Sequence, residues 1–144
     1  MSTLNEQLYM DGVVVIGKTR TFSVQINQVT EETQNLTNPE FEPMDLSPYN
    51  IRFRLLGSAE GNGIILLEKI ITQVTDHDIV GFIEEPTSGE FTFVITGDES
   101  LTLGLGVFPI TLELLDADTG EPVHTLTEGG IAQGEFNKIT IVRT

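Results

Sequence analysis

The stretch that decides the fold is residues 89–128, which read GEFTFVITGDESLTLGLGVFPITLELLDADTGEPVHTLTE. Apolar and polar residues alternate twice within it, first over residues 89–96 and again over residues 107–116. The apolar members are Phe91, Phe93 and Ile95 in the first run, and Phe108, Ile110, Leu112 and Leu114 in the second. Successive side chains of a strand point to opposite faces, so this period of two predicts two strands with one buried face each. The opposite side of the first run, with Glu90, Thr92 and Thr96, is predicted to face solvent.

A turn follows the second run. Residues 116–120 read Asp-Ala-Asp-Thr-Gly, in which the Asp side chains suit turn dihedrals and Gly120 supplies a positive φ. The chain is therefore expected to return along residues 123–127. The three runs together predict a meander of three adjacent strands at the centre of a β-sandwich.

The rest of the chain continues the pattern. Further strands are predicted at residues 13–16, 20–28, 50–58, 64–74, 79–83 and 136–143. Inward positions on two of them are Phe22, Val24 and Ile26, and Ile51, Phe53 and Leu55. About eight or nine short strands separated by turn signals indicate an all-β antiparallel sandwich. Pro109 lies inside a predicted strand and cannot donate a backbone hydrogen bond, so either its nitrogen points away from a neighbour or a bulge begins there.

The length of 144 residues predicts one domain. We assign residues 1–12 to an N-terminal arm and residues 13–144 to the sandwich. Leu4 and Leu8 in the arm are spaced for one helical turn, and the arm is either a frayed tail or a segment that orders on a neighbouring subunit.

Residues 29–49 form a long acidic connection that is predicted to have no structure of its own. Three prolines interrupt it, namely Pro39, Pro43 and Pro48. Connections of this length in compact domains are often functional or disordered. Phe41 lies between two glutamates and is either an exposed docking aromatic or a side chain folded back on the rim of the sandwich.

The formal net charge is −15, and no Lys or Arg occurs between Lys69 and Lys138, an interval with thirteen Asp and Glu. Such a surface repels phosphate groups, so we expect no binding to nucleic acid or to anionic membranes. The acidic surface either keeps the protein soluble or complements a basic partner. Arg52 and Arg54 on the outward side of their strand either dock a partner or pair with carboxylates of adjacent strands.

Two features bear on where the protein is made. It contains no cysteine, which excludes disulfides, thiolate metal sites and thiol catalysis. It opens MSTLNEQLYMDG, without a basic segment or a long apolar run, so we expect no secretory signal and synthesis in the cytoplasm. No apolar run approaches the roughly 18 residues that a membrane-spanning helix needs.

The two histidines are the candidates for acid–base chemistry. Asp76 and Asp78 flank His77, but aspartates also accumulate in turns, and we favour a structural turn. His124 has no nucleophile placed near it by the sequence. The nucleophile-elbow, phosphate-loop and dinucleotide motifs do not occur, so we predict no enzyme, no catalytic residue and no cofactor.

Residues 116–120 are also the best candidate for a metal site, because they resemble the oxygen-rich opening of a calcium loop. The calcium motif needs a further Asp or Asn directly before its glycine and a Glu six residues after it. Thr119 and Leu126 stand there instead. We therefore assign no metal site and favour a hairpin turn, with a weak structural calcium site as the alternative.

Several phrases of the sequence together resemble a known family. They are GKTRTF at 17–22, PMDLSPYNIRFR at 43–54, PTSGEFTF at 86–93, GVFPI at 106–110 and LLDAD at 114–118. The chain resembles the immunoglobulin-like β-sandwich of tailed-phage virion proteins and is similar to the N-terminal domain of phage baseplate upper proteins. The resemblance spans residues 17–143 and consists of strands and turns rather than a catalytic signature.

The resemblance implies a non-enzymatic structural component located in the virion and made in the host cytoplasm. Its partners would be other virion proteins of the tail, baseplate or capsid, and it would form a homo-oligomer or multi-copy assembly. The long connection at 29–45 and the end of the sequence at Thr144 depart from the family and favour a small adaptor or a capsid-surface decoration. The alternative is a soluble β-sandwich module that binds carbohydrate or calcium, although a chain with no Trp and two Tyr offers few aromatic platforms for sugars.

Overall fold

A computed structural model of the protein describes residues 12–33, 35–38, 40–57, 64–125 and 138–144. The predicted arm at residues 1–12 lies outside this part of the chain except for Gly12. The described residues form eleven strands and one α-helix. The strands are β1 (Val13–Val15), β2 (Arg20–Gln25), β3 (Asn27–Val29), β4 (Phe41–Pro43), β5 (Tyr49–Leu56), β6 (Ile65–Ile71), β7 (Ile83–Glu85), β8 (Glu90–Ile95), β9 (Gly106–Asp116), β10 (Pro122–Thr125) and β11 (Lys138–Val142), and the helix is α1 (Gly97–Leu103).

The strands form two main sheets. The larger has the order β1-β11-β9-β5-β6, with β10 paired to β9, and the smaller has the order β2-β8-β7. Strand β1 runs parallel to β11, and the other pairs are antiparallel. This order is that of an immunoglobulin sandwich, in which the G, F and C strands form one sheet extended by C′, and the B, E and D strands form the other. The protein is therefore an all-β immunoglobulin-like sandwich, as predicted.

The core lies between the two sheets and is built on three aromatic rings. Phe22 and Phe93 face each other across β2 and β8, with ring centroids 4.9 Å apart. Phe53 reaches Phe93 from β5 in the other sheet, at 4.6 Å. All three side chains are fully buried, and the inward positions predicted on β2 and β5 are confirmed. Antibody domains place a disulfide and a tryptophan in this region, whereas here the stacked rings join the sheets.

The predicted meander of three adjacent strands is wrong. Strand β8 lies in the smaller sheet and β9 in the larger, and α1 carries the chain from one to the other. A capping box starts the helix: Glu99 N donates to Thr96 Oγ1 (3.1 Å), and Thr96 N donates to Glu99 Oε1 (2.8 Å). The hairpin of β9 and β10 around residues 116–120 is confirmed.

Strand β8 is also buried on the side expected to face solvent. Thr92 is buried because residues 80–82 run along it: Thr92 N donates to Phe82 O (2.8 Å), and Phe82 N donates to Thr92 Oγ1 (3.2 Å). The strand predicted at residues 79–83 therefore begins only at Ile83, and Ile79 and Val80 lie in a turn. The alternation could not reveal this covering segment, since it belongs to a distant part of the chain.

Two further predictions are corrected or resolved. The connection at 29–49 has structure of its own: a 3-10 turn at Glu31–Thr33, and strand β4, which pairs with β3. Pro109 starts no bulge, because the pairing of β9 with β11 and with β5 proceeds without a shift in register. Pro109 is paired with Lys138 of β11, and the pairing of β9 with β5 begins at the next residue, Ile110. Among the described residues, no helix is long and apolar enough to cross a bilayer.

Candidate functional site

The Asp-His-Asp triplet forms an exposed turn after β6. His77 Nδ1 lies 3.0 Å from Asp78 Oδ1, and the two side chains are 67% and 82% exposed. Asp78 N donates to Asp76 Oδ1 (2.8 Å), which is the local bonding of a turn aspartate. The triplet therefore takes the turn geometry that the sequence analysis favoured. His124 is separate from it, in β10 opposite Leu114.

The turn at residues 116–120 also uses its carboxylate locally. Asp116 Oδ1 accepts hydrogen bonds from Asp118 N (2.8 Å) and Thr119 N (3.1 Å). Gly120 has a φ of +76° and donates its N–H to Asp116 O (2.8 Å), which closes the turn. Within the described part of the chain, three or more His, Asp or Glu side chains nowhere converge in a way that could hold a metal ion.

The two outward arginines of β5 pair with carboxylates of the adjacent strands. Arg52 Nη2 lies 2.9 Å from Glu113 Oε1 on β9, and Arg54 Nε lies 2.5 Å from Glu68 Oε2 on β6. Each pair joins residues directly opposite in the sheet. Of the two interpretations, cross-strand pairing is confirmed.

The acidic connection at 29–49 is fastened to the sandwich near its end. Met44 N donates to Ile26 O and Leu46 N donates to Pro86 O, and both side chains are buried. Between them Asp45 is exposed, and hydrogen bonds from the side chain and the backbone N–H of Ser47 lower the pKa of its carboxyl below the usual value. Phe41 on β4 is half-buried, opposite Val29.

The outer edge of β6 is a further candidate site, and its position could not be predicted from the sequence. Among the described residues β6 pairs with β5 alone, so its other side ends the sheet. Ile65, Leu66 and Ile70 on this strand are exposed, with Leu66 at 44%. Edge strands present unsatisfied N–H and C=O groups, and natural sheets usually protect them. An exposed apolar edge is therefore a candidate docking surface.

A groove adjoins this edge. Its volume is about 190 Å³, and it lies between β6 and α1. Its apolar wall consists of Leu66, Leu67 and Leu103, and its rim carries Asp98, Glu99 and Thr102. We call the outer edge of β6 together with this groove the β6 surface. It combines apolar side chains with carboxylates, which suits a partner that presents apolar and basic side chains together.

Lys69 links β6 to α1, the two elements between which the groove lies. The side chain points inward from β6, is 5% exposed, and its Nζ lies 2.7 Å from Glu99 Oε1. The ammonium also donates to Ile79 O (2.5 Å) and Val94 O (2.6 Å). Three acceptors thus satisfy its three donors. The bonds join β6, the turn after it, β8 and α1, so the groove is pre-formed.

One signal in the sequence points to this surface. Residues 65–71 read ILLEKII, which places apolar side chains on both faces of a strand. A strand of that kind is either covered on both faces or exposes one of them. The sequence alone does not give the strand order, and so it could not reveal that β6 is an edge.

No protein family matches the sequence, and no curated protein matches it either. A comparison of structures finds the NK cell receptor Nkp44, described as a triggering partner in natural cytotoxicity. The alignment covers 92% of this chain and 96% of the receptor chain, at 13% sequence identity and a TM-score of 0.44. The chain is an immunoglobulin-like β-sandwich domain on the strand order described above.

Proposed function

We propose that this protein is a non-enzymatic structural component of a tailed-phage virion. It is an accessory β-sandwich that binds other virion proteins, as a tail or baseplate adaptor or as a decoration of the capsid surface. The phage assignment is supported by the sequence phrases that resemble baseplate upper proteins. The binding role is supported chiefly by the β6 surface, an apolar sheet edge beside a pre-formed groove.

The β6 surface suits protein binding for an energetic reason. Burying apolar surface contributes about 25 cal/mol per Å², and Ile65, Leu66 and Ile70 stand exposed along one strand. A partner strand added at the edge also satisfies backbone groups of β6, which gives affinity without any requirement for a cofactor. Asp98 on the rim favours a basic partner, whereas the charge of Glu99 is already compensated by Lys69.

The polar groups considered as catalytic candidates have structural roles instead. Asp76 and Asp116 accept backbone hydrogen bonds within their own turns, and His77 pairs with Asp78 in solvent. These arrangements stabilise turns and strand contacts, which supports a binding protein rather than an enzyme.

The proposal is tested in purified phage particles. We expect mass spectrometry to detect the protein there, and Leu66→Lys to reduce its incorporation because a charge then occupies the apolar edge. Val74→Lys is the matched control, since Val74 is 91% exposed and lies outside β6. Deletion of residues 1–12 tests the N-terminal arm separately. Absence of the protein from particles would overturn the proposal, and specific binding on a glycan array would favour a carbohydrate-binding module.

A further inference from the structure

Apart from Arg20, which is bonded to Val13 O, the cations of the described residues are divided between two edges of the larger sheet. Arg52, Arg54 and Lys69, toward the β6 edge, form ion pairs with glutamates. Lys18, Lys138 and Arg143, toward the opposite edge at β1 and β11, are exposed and form no ion pair within the described chain. One edge of the sheet is therefore basic, and the other is apolar with an acidic rim.

The basic edge also contains a concavity. Its volume is about 320 Å³, and it is lined by the outward side chains of β1 and the residues that lead into β2, namely Val13, Val15, Lys18, Thr19 and Arg20. Apolar and basic side chains thus occur together at this edge. Apolar and basic side chains together are what a partner of the β6 surface needs, because that surface is apolar with an acidic rim.

The strand directions bring the two edges together in antiparallel orientation. Strand β1 is parallel to β11, and each step from β11 to β9, β5 and β6 is antiparallel. Strand β6 therefore runs opposite to β1. When two copies lie side by side in the same orientation, β6 of one copy is antiparallel to β1 of the next, which is a standard sheet pairing.

The charged groups also lie at matching heights. Gly17 N donates to Ser100 Oγ (2.7 Å), so the turn after β1, which includes Lys18, lies against α1. Arg143 follows Val142, which is paired with Val15 at the same end of the sheet. The groove beside β6 is also bounded by α1. A lateral shift from one copy to the next thus brings Lys18 and Arg143 level with Asp98.

We propose that copies of this chain associate head to tail, with the β1 edge of one copy docked on the β6 surface of the next. The inference names one partner of the β6 surface and rests on the proposed role of that surface in binding. Leu66 enters the concavity beside Val15, and Lys18 and Arg143 face Asp98. Val13 O already accepts a hydrogen bond from the Arg20 guanidinium, and Val15 O accepts one from Lys18 N (3.0 Å). Side-chain packing and the charge pairs, rather than a backbone ladder, therefore carry the contact. Such a contact is heterologous, so it closes into a ring or continues as a filament.

The net charge of −15 does not prevent this contact. Charges further apart than about 8 Å are largely screened at physiological salt, so the local arrangement at the contact dominates. The chain's own first eleven residues match the acidic rim poorly, because they contain Glu6 and Asp11 and no Lys or Arg. A second copy is therefore the better complement for the β6 surface.

The test is analytical ultracentrifugation of the full chain over a concentration series. We expect assembly beyond the dimer, and we expect Lys18→Glu and Asp98→Lys each to raise the dissociation constant about tenfold or more. Combining both substitutions in one chain restores the charge pair and should recover most of the association. Lys138→Glu is the matched control, because it changes the net charge as Lys18→Glu does but lies at the other end of β11. Circular dichroism melting confirms that each variant is folded.

The outcomes separate this inference from the proposed function. A chain that stays monomeric at all concentrations, or a Lys18→Glu variant that associates normally, overturns the head-to-tail contact. An effect of Lys138→Glu equal to that of Lys18→Glu also overturns it, since net charge then explains the loss. If the monomeric protein still enters particles through Leu66, the proposed function stands and this inference fails. If the protein assembles in solution but is absent from particles, the head-to-tail contact stands and the proposed function fails.

Discussion

Lys69 Nζ lies 2.7 Å from Glu99 Oε1, and this ion pair joins the edge strand β6 to helix α1. The lysine is 5% exposed and the glutamate 25%, so the pair is shielded from solvent mainly on the lysine side. Glu99 Oε1 also accepts a hydrogen bond from Thr96 N in the capping box. One carboxylate therefore both starts the helix and neutralises the buried cation.

We expect Glu99→Gln to destabilise the protein by about 1–3 kcal/mol, because it leaves a buried ammonium without its counter-charge. This loss of stability is smaller than for a fully buried ion pair, because Glu99 is partly exposed. Lys69→Met should cost at least as much, because it also leaves Ile79 O and Val94 O without their donor. Urea unfolding of the three proteins measures both changes. Equal stability of Glu99→Gln and the parent would contradict the role given to this pair.

The start of α1 is tested by Thr96→Ala. This substitution removes the acceptor for Glu99 N, so the free energy of unfolding should fall by about 1 kcal/mol. Thr102→Ala is the control, since its hydroxyl donates only to Asp98 O on the exposed side of the same helix. Thermal melting of both variants measures the difference. A larger effect of Thr102→Ala would show that capping is not what starts the helix.

The pairing of Arg52 with Glu113 should contribute little to stability. Both side chains are partly exposed, and ion pairs of this kind couple by about 1 kcal/mol or less. A double-mutant cycle with Arg52→Ala and Glu113→Ala measures the coupling directly. The value should fall further at high salt. A coupling of several kcal/mol would mean that the arginines have a larger role than cross-strand pairing.

Gly81 lies where the chain approaches β8 closely. A Cβ built at this position would lie 2.1 Å from Thr92 O, and the residue has a φ of +108°. We expect Gly81→Ala to destabilise the fold by about 3 kcal/mol or more, through backbone strain and a steric clash together. Gly120→Ala separates the two causes, because Gly120 has a φ of +76° with no atom within 4 Å of its built Cβ. That variant should lose only about 1–2 kcal/mol. Equal losses would leave no role for the clash with β8.

Calcium should not change the melting temperature. Asp116 Oδ1 already accepts two backbone N–H groups, and a ligand that binds only the native state would raise the melting temperature. Asp116→Ala should lower the melting temperature equally with and without calcium, because it breaks the turn. Scanning calorimetry at millimolar calcium and in chelator gives the comparison. A rise with calcium that disappears in Asp116→Ala would establish the calcium site that we regard as the alternative.

Much of the fold could be predicted from the alternation of side chains. The period of two alone predicts that Phe22, Phe53 and Phe93 point inward, because burial of one face is a local property of a strand, and all three are buried. The turn at 116–120 was also predictable, since its Asp and Gly residues act through their own backbone.

The arrangement of the strands could not be predicted in this way. Alternation identifies the buried face of β8 and of β9 but not the strands beside them. It therefore predicts one sheet for two strands that lie in different sheets. Helix α1 has only seven residues, and its sequence signal is the pair Thr96 and Glu99. The β6 surface depends on both features, because strand order makes β6 an edge and α1 forms the second wall of the groove.

The stack of Phe22, Phe93 and Phe53 has a consequence for how the domain is handled and produced. The link between the layers is an aromatic contact, which needs no oxidation step. Dithiothreitol should leave the unfolding transition unmoved, and refolding should require neither a disulfide isomerase nor an oxidant. The same sandwich can therefore be displayed or fused in reducing and oxidising environments alike.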